Sequence, residues 1–215
     1  MRLDKRSMLL YAVTDQAWVG QQSLKEQVEC ALKGGATCIQ LREKDLDDEK
    51  FLEEANEIKE LCKAYKVPFI INDNVEVAIK CNADGIHVGQ EDMEASNVRK
   101  LVGEDMILGV SVQTVEQAIK AVKNGADYLG VGSMFATTTK LDADIITKET
   151  LKEICHAVDI PVVAIGGIYK HNILELSGTG VDGVALISAI FSSENIEMEC
   201  GRLYDLSNQM VKECI

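Results

Sequence analysis

Short apolar segments alternate along the chain with longer segments in which apolar residues recur at helical spacing. The apolar segments are predicted strands: Met8–Val13, Ala36–Leu41, Pro68–Ile71, Gly85–Val88, Met106–Val110, Tyr128–Val131, Pro161–Ile165 and Gly183–Leu186. Helical spacing between them is clear at Leu52, Ala55 and Ile58. Strands that are apolar throughout and separated by amphipathic helices are typical of a parallel sheet. Eight such units predict a single (β/α)8 TIM barrel over residues 1–215, with its active site at the C-terminal ends of the strands.

A repeated turn supports this architecture. Similar short segments precede every second predicted strand: Gly34–Ala36, Asn82–Gly85, Asn124–Asp127 and Gly180–Gly183. Glycine in such a turn supplies the left-handed residue that ends a helix. Recurrence at every second unit fits a barrel built from repeated pieces.

Charge and cysteine content narrow the class of partners. The net charge of −13 argues against nucleic acid and against an anionic membrane, because both require a basic surface. The 7 cysteines are scattered without a CxxC pair, which indicates reduced thiols. No apolar segment is long enough for a signal core or a membrane span, so a cytoplasmic protein is expected. An acidic protein that binds phosphates must concentrate its cations or recruit a metal.

Polar residues collect after the predicted strands, where barrel enzymes place their sites. At the second strand, Gln40, Arg42 and Lys44 occupy alternate positions and are expected to point together toward the barrel mouth. An amide, a guanidinium and an ammonium on one face would form a clamp for an anion such as a diphosphate. The alternative is an ordinary strand end with solvated charges.

Carboxylates follow the next two strands. Asp73 comes after the third strand, directly behind Asn72, and Asp92 lies beyond the fourth. Two carboxylates on adjacent strand ends can share Mg²⁺. Without a cation they would oppose a diphosphate, since two unit charges about 4 Å apart repel by roughly 4 kcal/mol at an effective dielectric constant of about 20. Helix capping is the alternative role, for which Asp73, Asn74 and Asp92 are all suitable, and capping can coexist with metal binding.

The last three strands lead into segments suited to a second phosphate. The longest loop, residues 132–146, contains Thr137–Thr139 and Lys140. Gly167 follows the seventh strand and Ser188 the eighth, and the loops at these positions often form a phosphate site in this fold. The alternative for the long loop is an ordinary polar surface.

The sequence offers no evident general base. His87 alternates with apolar neighbours in the fourth strand and is predicted to be a packed residue. Ser111, after the fifth strand, either contacts a ligand or caps the next helix. Two anion sites without a base fit a reaction that joins two phosphorylated substrates, whereas a single site would fit an isomerase.

The order and spacing of these motifs resemble those of the thiamine-phosphate synthases. The most specific elements are Gln40-x-Arg42-x-Lys44, Asn72-Asp73, the block Gly85–Asp92, Thr137-x-Thr139-Lys140 and Gly166-Gly167. One departure is Ala136, where the family often has proline. The resemblance implies a transferase that condenses 4-amino-2-methyl-5-hydroxymethylpyrimidine diphosphate with 4-methyl-5-hydroxyethylthiazole phosphate. Dissociative loss of diphosphate and attack by the thiazole nitrogen would yield thiamine phosphate and pyrophosphate.

The resemblance also implies a role for each matching residue. The pyrimidine diphosphate would be bound by Gln40, Leu41, Arg42, Glu43, Lys44, Asn72, Ser111 and Lys140, of which Arg42, Ser111 and Lys140 would be catalytic. The thiazole phosphate would be bound by Thr137, Thr138, Thr139, Gly167, Ile187 and Ser188. One Mg²⁺ per active site would be held by Asp73 and Asp92.

Two other functions are also compatible with the residues. A related thiazole tautomerase shares the barrel and the phosphate site, but it needs an acid or base residue and neither the metal aspartates nor the full clamp. A barrel that only binds or senses phosphorylated metabolites would carry the same anion sites. A turnover assay with both substrates separates this second alternative from an enzyme.

Overall fold

Eight parallel strands close into a barrel in chain order, with the eighth strand hydrogen-bonded to the first. The computed structural model describes residues 3–20, 22–90, 92–137 and 144–212. The strands are β1 (Leu10–Val13), β2 (Cys38–Leu41), β3 (Phe69–Asn72), β4 (Gly85–Val88), β5 (Ile107–Val112), β6 (Tyr128–Val131), β7 (Val162–Ile165) and β8 (Gly183–Leu186). The helices are α1 (Leu24–Lys33), α2 (Asp48–Tyr65), α3 (Val75–Lys80), α4 (Ala95–Val102), α5 (Val115–Lys123), α6 (Lys148–Ala157), α7 (Ser188–Phe191) and α8 (Ile196–Lys212). The predicted (β/α)8 barrel is confirmed.

Two differences in strand boundaries affect the site. Asn72 is the last residue of β3 and pairs with His87 of β4, although the sequence placed it after the strand. Ser111 lies within β5 and pairs with Gly130 of β6, where the sequence ended the strand one residue earlier. In both strands the backbone pairing continues past the apolar residues. A strand end predicted from apolar positions alone therefore falls too early.

The apolar core has two layers. One layer fills the barrel and contains Met8, Tyr11, Val13, Cys38, Ile70, Tyr128, Val163 and Ala185. The other lies between the outer face of the strands and the helices, and includes Ile39 and Leu41 of β2. Because side chains alternate along a strand, Cys38 and Gln40 of β2 face the interior. The interior therefore receives a polar side chain close to the barrel mouth.

The repeated turn ties adjacent strands together at the N-terminal end of the barrel. In each repeat, a side chain just before an even-numbered strand accepts a hydrogen bond from a backbone N–H in the preceding odd-numbered strand. The four bonds are Leu10 N–H to Thr37, Phe69 N–H to Asp84, Leu108 N–H to Asp127 and Val162 N–H to Asp182, at 2.9, 2.9, 2.8 and 2.9 Å. These bonds explain why aspartate recurs in the turns, because its carboxylate accepts from N–H groups at the ends of buried strands.

In the described ranges, no helix has both the length and the apolar composition that crossing a bilayer requires. Likewise, no disulfide joins the six cysteines that those ranges contain.

Replacing one of these aspartates should lower stability without affecting chemistry at the other end of the barrel. In Asp182→Ala the N–H of the buried Val162 loses its acceptor. We expect the free energy of unfolding to fall by about 1–3 kcal/mol, the cost of an unsatisfied buried donor. Asp182→Asn keeps an acceptor oxygen, so its free energy of unfolding should fall less than that of Asp182→Ala. Urea denaturation measures the stability, and an equal loss in both variants would contradict a hydrogen-bonding role.

Candidate active site

The described candidate residues all lie at the C-terminal end of the barrel. They are Gln40, Leu41, Arg42, Glu43 and Lys44 at the end of β2, Asn72 and Asp73 at β3, Asp92 beyond β4, Ser111 in β5, Thr137 beyond β6, Gly167 after β7, and Ile187 and Ser188 after β8. Thr138, Thr139 and Lys140 lie outside the described residues. Parallel strands bring these sequence-distant positions to one rim.

A lysine and two carboxylates meet between β2, β3 and β4. Lys44 Nζ lies 2.6 Å from Asp73 Oδ2. Asp92 Oδ2 accepts a hydrogen bond of 2.7 Å from the Gly89 N–H. Burial raises the pKa of the Asp92 carboxyl and the adjacent Asp73 carboxylate adds to the rise, while the Gly89 N–H and Lys44 act in the opposite direction. The two carboxylates therefore repel each other at close range.

Other residues cap the neighbouring helices, so capping does not explain these aspartates. Asn74 caps α3, where its side chain accepts from the Val77 N–H at 2.9 Å. The N-cap of α4 is Glu94, which makes no side-chain capping bond. The capping alternative for Asp73 and Asp92 is thus wrong.

Capping does not explain Ser111 either. Helix α5 is capped by Thr114, whose hydroxyl accepts from the Gln117 N–H. Ser111 lies within β5, before this helix begins.

The chemistry of this pair of carboxylates fits Mg²⁺. Mg²⁺ prefers oxygen ligands, keeps several waters and is usually bound through one or two carboxylates together with substrate phosphates. Among the described residues, no three or more His, Cys, Asp or Glu side chains are grouped as a metal site. Asp73 and Asp92 would therefore supply only part of a coordination sphere. The remaining positions would suit water and phosphate oxygens.

The predicted alternation of Gln40, Arg42 and Lys44 ends with the strand. Gln40 faces the barrel interior, where its Nε2 donates to the Tyr11 hydroxyl at 2.8 Å. Arg42 lies beyond β2 at the rim, with its Nη1 3.3 Å from Asp15 Oδ2. Strand β2 ends at Leu41, so strand alternation applies only to Gln40, and the expectation that all three side chains point together to the mouth stays a prediction. The two cations lie at the rim, each beside a carboxylate.

The other two residues of this segment turn away from the mouth. Leu41 is fully buried in the layer between the strands and the helices. Only its backbone could contact a ligand. Glu43 is also buried and accepts a hydrogen bond of 2.7 Å from Gln16 Nε2.

A chain of hydrogen bonds crosses the barrel interior below the mouth. Gln40 donates to Tyr11, and the Tyr11 and Tyr128 hydroxyls lie 2.7 Å apart. His87 Nδ1 lies 2.9 Å from the Tyr128 hydroxyl, and His87 Nε2 lies 2.8 Å from Ser111 Oγ. Burial lowers the pKa of His87 to about 4, so the ring is neutral at pH 7. Burial also raises the pKa of both tyrosine hydroxyls, which keeps them protonated.

His87 is buried, which confirms the prediction that it is a packed residue. For Tyr11 the sequence left open whether it borders the pyrimidine or packs in the core, and it gave no role to Tyr128. An available signal was that Tyr11 and Tyr128 stand in predicted strands, where a buried hydroxyl needs a partner. The polar residues of other strands could have provided that partner.

A second pocket lies between the ends of β6, β7 and β8. It is lined by Thr137, Ile165, Gly166, Gly167, Ile168, Ala185, Leu186, Ile187 and Ser188. The four described residues predicted to hold the thiazole phosphate are all among them. Tyr169, which the sequence analysis did not identify, lies with its hydroxyl 2.8 Å from Ser188 Oγ.

Gly167 supports this pocket through the loop that follows β6. Its backbone is left-handed, with φ of 64°, and an added Cβ would lie 2.7 Å from the Phe135 carbonyl oxygen. The same loop is tied to β7 by a bond of 3.0 Å from the Met134 N–H to the Ile165 carbonyl. Glycine is therefore needed for loop packing, in addition to any approach of a phosphate.

Two carboxylates share a partly buried position behind the β2 segment. Gln16 Nε2 contacts Glu43 Oε1 at 2.7 Å and Glu54 Oε1 at 3.1 Å. Burial raises the pKa of Glu54 to about 7, and the charge of Glu43 adds to the rise. Burial also raises the pKa of Glu43. One proton is therefore retained by this pair well above the usual pH range of a glutamate.

This pair should make stability depend on pH. Because the pKa of Glu54 is higher in the folded protein, folding retains a proton that the unfolded chain releases. The stabilisation is complete below about pH 4.5 and is lost as pH rises toward about 7. Glu54→Gln should remove most of this loss, so it should be more stable than wild type at pH 8. Urea denaturation at pH 5 and 8 tests this, with the exposed Glu53→Gln as control; identical pH profiles for wild type and Glu54→Gln would contradict it.

Comparison with known proteins identifies the family. A family model described as thiamine monophosphate synthase matches residues 10–190. A thiamine-phosphate synthase of Clostridium tetani (strain Massachusetts / E88) is 48% identical over 200 residues, which are 93% of this chain and 96% of that protein. Another, from Clostridioides difficile (strain 630), is 49% identical over 195 residues, 91% and 93% of the two chains. The solved thiamine phosphate pyrophosphorylase of Pyrococcus furiosus has a TM-score of 0.89 at 38% identity, covering 96% of this chain and 98% of its own. Because the match runs from β1 past β8 and through both candidate anion sites, this chain belongs to the thiamine monophosphate synthase family.

Proposed function

We propose that this chain joins a pyrimidine diphosphate to a thiazole phosphate at the barrel mouth, releasing pyrophosphate and forming thiamine phosphate. The observation that carries the proposal is the juxtaposition of Lys44, Asp73 and Asp92 at the same rim as a separate pocket. A pair of repelling carboxylates beside a lysine suits a metal-bound diphosphate. The separate pocket suits a second phosphorylated substrate.

Residues around the first position would bind the pyrimidine diphosphate. Arg42 and Lys44 are rim cations, and Arg42 offers a planar fork that matches phosphate oxygens. Asn72 is the last residue of β3 and directly precedes Asp73. By resemblance to the family, Lys140 would join this set. Binding would replace the present ion pairs with Asp15 and Asp73 by contacts with phosphate.

Mg²⁺, held by Asp73 and Asp92, would neutralise negative charge on the diphosphate. The lysine and arginine side chains would stabilise the charge that develops on this group as it departs. The electron-rich aminopyrimidine stabilises the resulting carbocation, and the thiazole nitrogen attacks with its own lone pair. No proton has to be removed from the nucleophile. The chain would therefore contribute position and electrostatic stabilisation.

The thiazole phosphate would occupy the second pocket. Ser188 supplies a hydroxyl there, and Thr137 supplies another from the loop after β6. Gly167 keeps that loop close to β7. Thr138 and Thr139 would extend the same contacts, as the family resemblance implies.

The tautomerase alternative is less well supported. His87 is buried, with a hydrogen-bonding partner at each ring nitrogen, so it is poorly placed to act as the acid or base that proton transfer needs. The aspartate pair would also have no role in that reaction. A barrel that only binds metabolites is distinguished by the absence of turnover.

The metal assignment predicts that activity requires a divalent ion. Chelation should abolish the formation of thiamine phosphate, and added Mg²⁺ should restore it. Asp92→Ala should lose most turnover while its melting temperature changes little, because it removes an exposed loop carboxylate. Asp105→Ala is the control, an exposed aspartate in the turn before β5. Full activity in a chelator would show that the carboxylate pair holds no essential metal, and no turnover with Mg²⁺ would favour the binding-only alternative.

Separate sites predict separate effects of mutation on the two substrates. Arg42→Lys should raise the KM for the pyrimidine diphosphate by about 10-fold or more, since one charged hydrogen bond of the fork is lost. Ser188→Ala should raise the KM for the thiazole phosphate and leave the KM for the pyrimidine diphosphate unchanged. Steady-state kinetics with each substrate varied in turn measures both. Equal changes in the two KM values for either variant would contradict the assignment of two sites.

A further inference from the structure

The interior hydrogen-bonded chain joins two residues from opposite sides of the barrel. It runs from Gln40 of β2 through Tyr11, Tyr128 and His87 to Ser111 of β5. Tyr11 and Tyr128 are 1% and 0% exposed, so their hydroxyls must find partners within the protein. Both ends of the chain, Gln40 and Ser111, are residues that we assign to the pyrimidine diphosphate. The three residues between them have no assigned role.

Space in the barrel is arranged to admit this chain. Gly109 of β5 lies opposite Tyr128 in the strand pairing. A Cβ at position 109 would overlap the Tyr128 ring and its hydroxyl. Any residue other than glycine would therefore displace the central hydroxyl of the chain. The glycine makes this polar connection possible inside an otherwise apolar layer.

Counting hydrogens fixes the direction of the first two bonds. The amide nitrogen of Gln40 can only donate, so the Tyr11 oxygen accepts. The Tyr11 hydroxyl then has one hydrogen to place, and the Tyr128 oxygen at 2.7 Å is the strong acceptor beside it. The Cys38 thiol also lies next to Tyr11, but sulfur is a weak acceptor. Tyr11 therefore donates to Tyr128.

The same count fixes the tautomer of His87. Tyr128 already accepts from Tyr11, and its own hydrogen is directed to His87 Nδ1 at 2.9 Å. Nδ1 is thus an acceptor, and the neutral ring carries its proton on Nε2. Nε2–H donates to Ser111 Oγ at 2.8 Å. The serine oxygen is occupied as an acceptor, and its hydroxyl hydrogen remains for a ligand.

This direction matters because a diphosphate can only accept hydrogen bonds at its ionised oxygens. We propose that Tyr11, Tyr128 and His87 are positioning residues, which through one directed chain of hydrogen bonds set Ser111 as a donor to the pyrimidine diphosphate. The proposal rests on the function proposed above. In the reverse direction, Ser111 would donate to His87 and would present only lone pairs to an anion. With the Gln40 amide nitrogen facing Tyr11, the buried Tyr11 hydrogen would then have no strong acceptor among the described residues.

The tautomer of His87 is a direct test in the wild-type protein. ¹⁵N NMR of the full chain distinguishes a protonated from an unprotonated ring nitrogen. The two other histidines, His156 and His171, are assigned by single substitutions and serve as internal references. We expect an unprotonated Nδ1 and a protonated Nε2 for His87. A proton on Nδ1, or rapid averaging between the two tautomers, would overturn the directed chain.

Two tyrosine variants then test the positioning role. Tyr128→Phe removes the donor to Nδ1, so the preference for the Nε2–H tautomer should weaken. Its kcat/KM for the pyrimidine diphosphate should fall on the order of 10-fold, as for other residues that orient a ligand-binding group, with the KM for the thiazole phosphate unchanged. In Tyr11→Phe, Tyr128 can still donate to His87, so the tautomer should persist and kcat/KM should fall less than in Tyr128→Phe.

The outcomes separate this inference from the proposed function. A changed tautomer in Tyr128→Phe with an unchanged kcat/KM would overturn the positioning role. Absence of turnover in the wild type would contradict the proposed function, whereas the wild-type tautomer is read by NMR without any turnover. If Tyr128→Phe does not fold, that wild-type measurement still decides the direction of the chain.

Discussion

Closure of eight parallel strands into one barrel is the constraint on which the rest of the structure depends. It brings every carboxyl end to the same rim, so Lys44, Asp73 and Asp92 meet although they come from three different units. It also encloses an interior that must be filled without water. Apolar side chains fill most of it, and the polar atoms that enter must satisfy one another. Closure of the barrel therefore produces both the grouping of residues at the active-site rim and the chain of hydrogen bonds in the interior.

The rim combines opposite charges in a protein with a net charge of −13. Each described cation of the β2 segment lies beside a carboxylate, Arg42 beside Asp15 and Lys44 beside Asp73. These pairs hold the long side chains in place before a ligand arrives. They also mean that an anion must replace a carboxylate to bind. In the function that we propose, a metal ion bound with the diphosphate would take over Asp73, the carboxylate that Lys44 releases.

The barrel could be predicted from sequence because its strands are apolar on both faces and evenly spaced. The candidate residues of the site could be predicted because polar residues follow those strands. The ion pairs of side chains beyond the last paired residue could not be predicted, as the contact of Arg42 with Asp15 shows. The sequence offered Asp73, Asn74 and Asp92 as helix caps without deciding among them. The backbone shows that Asn74 caps α3 and that the N-cap of α4 is Glu94. The interior chain of hydrogen bonds was not predicted, because tyrosine counts as apolar in a hydrophobic pattern.

The ties at the N-terminal end of the barrel have a consequence for the order of folding. Each joins two strands that are consecutive in the chain, across 27, 15, 19 and 20 residues. By contrast, closing the barrel pairs Leu10 with Val184, at opposite ends of the sequence. Short loops lose the least entropy when they close. We therefore expect two-stranded units to gain hydrogen-exchange protection first and the contact between β8 and β1 to form last, which pulsed exchange would detect.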